Sequence, residues 1–279
     1  MIPAALLRLG DELLGRGGFG EVLAGSLCEG EGRVRPVAIK RLHLSGIDAA
    51  WVSALLDEVG IMMSLDHCCV LRCFGAVLDP AAKDASGRPL GCCIVTELCP
   101  LKSLRGALDQ LCFGEERGPK ERAGEAAIRL ASWATSLKVA CDVARGMAYL
   151  YSKTPPVVSR AFPRLSYLLH KYLHRCSFFL SIPSSSRPPL PQVQHRDLKA
   201  ANVLLAVDGD GLVAKICDFG SAKWRLALQA PTSAGDKGGT VAWAAPETYS
   251  SKDSPGVFTE ASDVWSFGML LFEIIFLSV

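Results

Sequence analysis

"HRDLKAANVLL", residues 195–205, sets His195, Arg196, Asp197, Lys199 and Asn202 in one short run and then turns apolar. The tail of the run reads as a short buried strand. Charged and amide groups carried to the edge of such a strand lie close to the core, where each needs a partner or a ligand. The stretch therefore predicts a charged centre at the end of a buried strand.

Composition limits what that centre can serve. The chain has 279 residues, 49% of them hydrophobic, enough to bury a substantial core as one large domain or two lobes. Charged residues make up 21% and the formal net charge is +2, which argues against a nucleic-acid-coating or polybasic membrane surface. An anionic ligand must then be held by a local site.

Eleven cysteines fall at irregular positions, including the doublets Cys68-Cys69 and Cys92-Cys93, with no signal peptide ahead of them. This is the pattern of a reducing, cytoplasmic setting rather than of a disulfide framework. His67, Cys68, Cys69 and Cys73 cluster in an apolar-rich stretch without a C-x-x-C pair, and read as small core residues rather than metal ligands. The run "VWSFGMLLFEIIFLSV", 264–279, is short for a membrane span and carries Glu273, so a buried core helix is expected.

From Leu9 to about Leu98 the segments "VLAGSL", "RPVAIKRL", "VLRCFGAVL" and "CCIVTEL" have strand length and apolar content. Between the second and third, Ala49 to Leu65 reads as a helix with Trp51, Leu55, Val59 and Met62 on one face. From about Leu101 helices dominate, notably "SWATSLKVACDVARGMAYLY", where Leu137, Ala140, Ala144, Met147 and Tyr151 repeat at helical spacing. One stretch breaks this rhythm: residues 159–194 hold seven Ser, five Pro and five Lys or Arg but no acid.

"GRGGFGEV" places Gly15, Gly17 and Gly20 at the spacing G-x-G-x-x-G, which lets backbone N–H groups approach phosphate oxygens. A dinucleotide fold needs a helix to open at the last glycine, whereas "EVLAGSL" alternates like a strand. The glycines are thus expected in the bend of a hairpin. In "VAIK", Lys40 interrupts an apolar strand and demands a carboxylate or phosphate partner, for which Glu58 is the candidate.

Taken with "TELCP", "CDFG", "AAPE" and "DVWSFG", which follow in register, these motifs resemble a eukaryotic protein kinase domain of the tyrosine-kinase-like serine/threonine group. The resemblance implies an α+β, bilobal fold: residues 1–98 as an N-lobe with a small antiparallel β-sheet and one helix, residues 99–279 as a mainly α-helical C-lobe. It implies ATP and Mg²⁺ as cofactors, with Asp197 orienting the acceptor hydroxyl, Lys199 beside the transferring phosphate, and Lys40, braced by Glu58, on the α- and β-phosphates. Asn202 and Asp218 would hold Mg²⁺. Gly15, Gly17 and Gly20 would cover the phosphates, and Val22, Ala38 and Leu204 would sandwich the adenine. Backbone groups of Glu97 and Cys99 would bond its edge, with Thr96 at the back of the pocket. His195 reads as a packing residue, and Lys199 with Thr240 of "GGTVAWAAPE" points to Ser or Thr hydroxyls of protein substrates.

The resemblance breaks twice. Residues 159–194 interrupt the run into the "HRD" motif, and deleting 158–192 restores an ordinary junction, as a retained intron would require. The chain also stops after the helix bearing Asp263, so an incomplete C-lobe is expected, with an apolar face around Trp265, Leu270 and Phe276 exposed and Glu247 lacking its cation. A kinase-like scaffold or inactive fragment, binding nucleotide or a partner without efficient turnover, is the alternative reading.

Overall fold

The structure, a computed structural model, describes residues 1–17, 20–30, 32–42, 59–60, 62–79, 81–113, 121–152, 195, 197–209, 211–218, 240–249 and 260–277. Glu58, Arg196 and the stretch of foreign composition lie outside them, as does most of the expected helix from Ala49, whose residues 59–60 and 62–64 are helical. Val59 and Met62 are buried there, as their spacing predicts.

Five strands form one antiparallel sheet: β1 (Leu7–Gly17), β2 (Gly20–Cys28), β3 (Val34–Leu42), β4 (Cys73–Val77) and β5 (Cys93–Glu97), in the order β1-β2-β3-β5-β4. The hairpin bend falls between Gly17 and Gly20, which pair with each other. One face is closed by Leu7, Leu9, Leu23, Leu27, Val37, Ile39, Cys93 and Val95, which form a core of their own. Strand β2 alternates accordingly: Leu23 and Leu27 are buried, while Val22 and Ala24 are half-buried on the other face.

Three helices follow, α1 (Leu104–Phe113), α2 (Glu121–Leu130) and α3 (Trp133–Ser152), then the hairpin β6 (Val203–Asp208) and β7 (Gly211–Ile216), and last α4 (Glu260–Leu277). In α3 the buried stripe runs through Val139, Val143, Met147 and Leu150 together with Ala140 and Tyr151, whereas Leu137 and Ala144 are only half-buried. The stripe is wider than the sequence spacing suggests because α3 packs on both β7 and α4. Gly146 is needed for this contact: a Cβ there would lie 2.6 Å from the Cys69 carbonyl.

In α4, Phe267, Leu270 and Ile274 are buried while Trp265, Phe272 and Phe276 are exposed. Leu270 therefore does not belong to the exposed face expected of it, since five helical residues turn it about 140° away from Trp265. No helix among the described residues is long and apolar enough to cross a membrane. Ten cysteines are described, none of them in a disulfide.

Candidate active site

The sheet register assembles the upper half of a cleft. Directly paired residues share a face, and the pairs Val22 with Lys40, Ala24 with Ala38, and Ala38 with Thr96 therefore place Val22, Ala38, Lys40 and Thr96 together. Gly15 pairs with Val22 on the neighbouring strand. A Cβ on Gly15 would meet nothing within 4 Å, so the fold itself does not require a glycine there. Gly20 is different: its φ is +150° and a Cβ would lie 1.8 Å from the Arg41 carbonyl oxygen, so close approach of β3 demands glycine.

The lower half comes from β6 and the turn before it. Leu101 donates to the Leu205 carbonyl and Leu205 donates to that of Lys102, stitching β6 beneath the segment that follows β5. This brings the half-exposed Leu204 into a bridge with Ser103. Among the described residues nothing accepts the N–H of Cys99, whose residue is 6% exposed, so the segment offers a donor to a ligand edge. The Glu97 side chain accepts from Arg72 N at 2.8 Å and pairs with Lys215 at 3.0 Å, joining this segment to β7.

At the start of β6 the charged run folds onto itself. Lys199 Nζ lies 3.0 and 2.9 Å from the two Asp197 carboxylate oxygens. Asn202 Nδ2 donates to the Asp197 carbonyl at 2.7 Å and to its Oδ2 at 2.9 Å, leaving the amide oxygen Oδ1 turned from these bonds. Asp197 and Asn202 are both buried. Cys217 N donates to the Asn202 carbonyl at 2.9 Å, so the residue before Asp218 is tied to the same turn.

Asp218 has φ +62°, a conformation uncommon for a residue with a side chain and of a kind that costs of order 1–3 kcal/mol. It holds the carboxylate 2.9 Å from Lys40 Nζ, so β3 and the end of β7 meet across the cleft. Lys40 thus has the carboxylate partner its apolar strand demands, although it is Asp218 that the described residues show and Glu58 lies outside them.

His195 is buried and its Nε2 lies 3.2 Å from the Cys217 carbonyl. Burial lowers its pKa, in keeping with a packing role. Burial likewise pushes the Cys99 thiol up to about 12 and raises that of Cys217, so both are neutral lining groups. Asp263 on α4, which the kinase resemblance implies as a brace of the catalytic-loop backbone, accepts from His195 N at 2.8 Å and from the Tyr151 hydroxyl.

A sequence profile described as protein tyrosine and serine/threonine kinase matches residues 9–160 and 191–278. The chain belongs to this kinase family. The match omits 161–190, inside the stretch whose composition stands apart. The kinase is 31% identical over 263 residues to the serine/threonine-protein kinase CTR1 of Arabidopsis thaliana, covering 94% of this chain and 23% of that protein. It is 27% identical over 274 residues to the probable serine/threonine-protein kinase drkD of Dictyostelium discoideum, covering 98% of this chain and 15% of that one. To the dual specificity protein kinase shkC of the same organism it is 29% identical over 265 residues, 95% of this chain and 38% of that one. The chain thus spans well under half the length of these relatives.

Proposed function

We propose that this kinase domain transfers the γ-phosphoryl group of ATP to Ser or Thr hydroxyls of protein substrates. The observation that carries the reading is the convergence of Asp197, Lys199 and Asn202 at the mouth of β6 with the Lys40–Asp218 pair across the cleft. Phosphoryl transfer is mostly positioning and neutralisation of charge, and this arrangement offers both.

In this reading Asp197 accepts a hydrogen bond from the acceptor hydroxyl and aligns it for in-line attack. Lys199, already held by both Asp197 oxygens, extends toward the transferring group and offsets its charge. Lys40 leaves Asp218 in part to engage the α- and β-phosphates, braced by Glu58. Val22, Ala38 and Leu204 enclose the adenine, Thr96 lines the back, the backbone of Glu97 and Cys99 meets its edge, and Gly15, Gly17 and Gly20 cover the phosphates.

The donor set suits Mg²⁺: an Asp218 carboxylate and the Asn202 amide oxygen are hard oxygen ligands of the number that a water-rich magnesium site uses. When bound, the ion neutralises phosphate charge. Residues 1–98 then act as the N-lobe and 99–279 as the C-lobe, in a cytoplasmic setting that keeps the thiols reduced.

Phosphoamino-acid analysis after incubation of the chain, lacking 158–192, with labelled ATP tests the acceptor. Phosphoserine or phosphothreonine is expected, and predominant phosphotyrosine would overturn the reading of Lys199 and Thr240.

A further inference from the structure

Away from the cleft, the loop after residues 62–64 makes a tight turn in which Val70 N donates to the His67 carbonyl at 3.0 Å. Cys68 and Cys69 occupy its two central positions. We propose that this turn binds a thiophilic divalent cation of the zinc class through His67, Cys68 and Cys69.

The three side chains lie near enough to one another to share an ion. One ligand atom from each of the three residues lies within 4.8 Å of the others. The two sulfurs are 3.6 Å apart. Two thiolates on one tetrahedral zinc, with Zn–S of about 2.3 Å, are separated by about 3.7 Å, whereas a disulfide needs about 2 Å.

The imidazole is held in place ahead of any ion. Its Nδ1 accepts from Cys69 N at 3.1 Å, which directs that lone pair into the turn, where a cation would displace the amide. Its ring stacks on Tyr149 with centroids 4.6 Å apart, and the Tyr149 hydroxyl accepts from Asp66 N at 2.7 Å. The stack restricts the ring's rotation and so presents the imidazole in one orientation.

Access agrees with the assignment. Cys68 is exposed and Cys69 is 1% exposed, so an ion would seat on the deep sulfur and reach solvent beside the shallow one, leaving a fourth position to water. Cys73 stays outside the set, its sulfur lying 3.8 Å from the Gly75 carbonyl.

The lack of a C-x-x-C pair therefore does not exclude a metal site, because a turn brings adjacent cysteines to the required spacing. The site is also mechanically close to the cleft: Ile216 N donates to the Cys69 carbonyl at 2.9 Å, two residues before Asp218.

Cobalt(II) titration of the full chain, stripped of metal and fully reduced, tests the proposal. One equivalent should produce a thiolate-to-cobalt charge-transfer band that added Zn²⁺ abolishes. Cys68→Ser should lower the band by about half, since one of two Co–S bonds is lost, and Cys112→Ser, which alters another exposed thiol, should leave it unchanged. In unmodified protein, Zn²⁺ should protect Cys68 from iodoacetamide, read by mass spectrometry. A band insensitive to Cys68→Ser, or equal alkylation of Cys68 with and without Zn²⁺, would overturn the assignment.

Discussion

Lys40 and Asp218 stand 178 positions apart in the chain and 2.9 Å apart in space. Their side chains are 29% and 24% exposed, so the pair is partly screened and adds little to stability. In the proposed function its worth lies in presenting a cation and an acid to one ligand. Lys40→Met and Asp218→Asn are each expected to fold with small changes in Tm and to lose at least about 10²-fold in turnover of Mg-ATP. Turnover within a few-fold of the unmodified protein in either variant would remove these residues from the mechanism.

The glycines of the hairpin separate into two kinds. Gly15→Ala adds a methyl that meets no protein atom, so the fold should tolerate it while KM for ATP rises. Gly20→Ala forces a Cβ against the Arg41 carbonyl at a backbone angle side chains rarely adopt, and should cost about 2 kcal/mol or more of stability. Thermal melts beside ATP kinetics test the division. Equal loss of stability in both variants would show that Gly15, too, serves the fold.

What could be read from sequence follows from range. The strands and helices rest on local periodicity, and the named motifs carry fixed local chemistry, so β2 through β5 and the cluster at Asp197, Lys199 and Asn202 were legible. Contacts between distant segments were not. Nothing near Lys40 announces Asp218 as its partner, and nothing near Cys68 announces Tyr149 as the support of His67. The α3 stripe was misjudged at Leu137 and Ala144 because a helix packed on two sides buries more than one simple stripe. Gly20 reads as a phosphate residue from its spacing, yet its demand for glycine comes from β3.

Asp84 shows another long-range dependence. It accepts from Leu9 N at 2.8 Å, and from Ser86 N, Ser86 Oγ and Arg88 N at 2.7–2.9 Å, fastening the loop before β5 to β1. Burial alone would raise its pKa, but these bonds outweigh burial and hold it at about 2. The folded value is below the unfolded one of about 3.9, so the stabilisation is present above pH 4 and is lost as pH falls toward 2. It amounts to at most about 3 kcal/mol at neutral pH. Asp84→Asn should lower Tm at pH 7 and converge with the unmodified protein toward pH 2. A constant difference across that range would show that the charge is not what matters.

The candidate catalytic turn is held from behind by Asp263. Its buried carboxylate accepts from His195 N at 2.8 Å and from the Tyr151 hydroxyl. His195 in turn reaches the Cys217 carbonyl through Nε2 at 3.2 Å, next to Asp218, and its Nδ1 accepts from Asp197 N at 3.4 Å. One carboxylate on α4 thus fixes the backbone that positions both Asp197 and Asp218. An error of about 1 Å in such groups can cost roughly 10²-fold in rate. Asp263→Ala deprives the His195 N–H of this acceptor, at a cost of about 1–3 kcal/mol, and lets the turn shift. Its kcat should fall at least about 10-fold, while KM for ATP changes less because the face carrying Val22, Ala38 and Thr96 is untouched. Tyr151→Phe removes one donor and keeps the bond to His195, so kcat should stay within a few-fold. Steady-state kinetics and melts of the two variants decide between bracing and simple packing: equal losses of kcat, or a fall in Tm for Asp263→Ala with kcat unchanged, would show that the carboxylate serves stability alone.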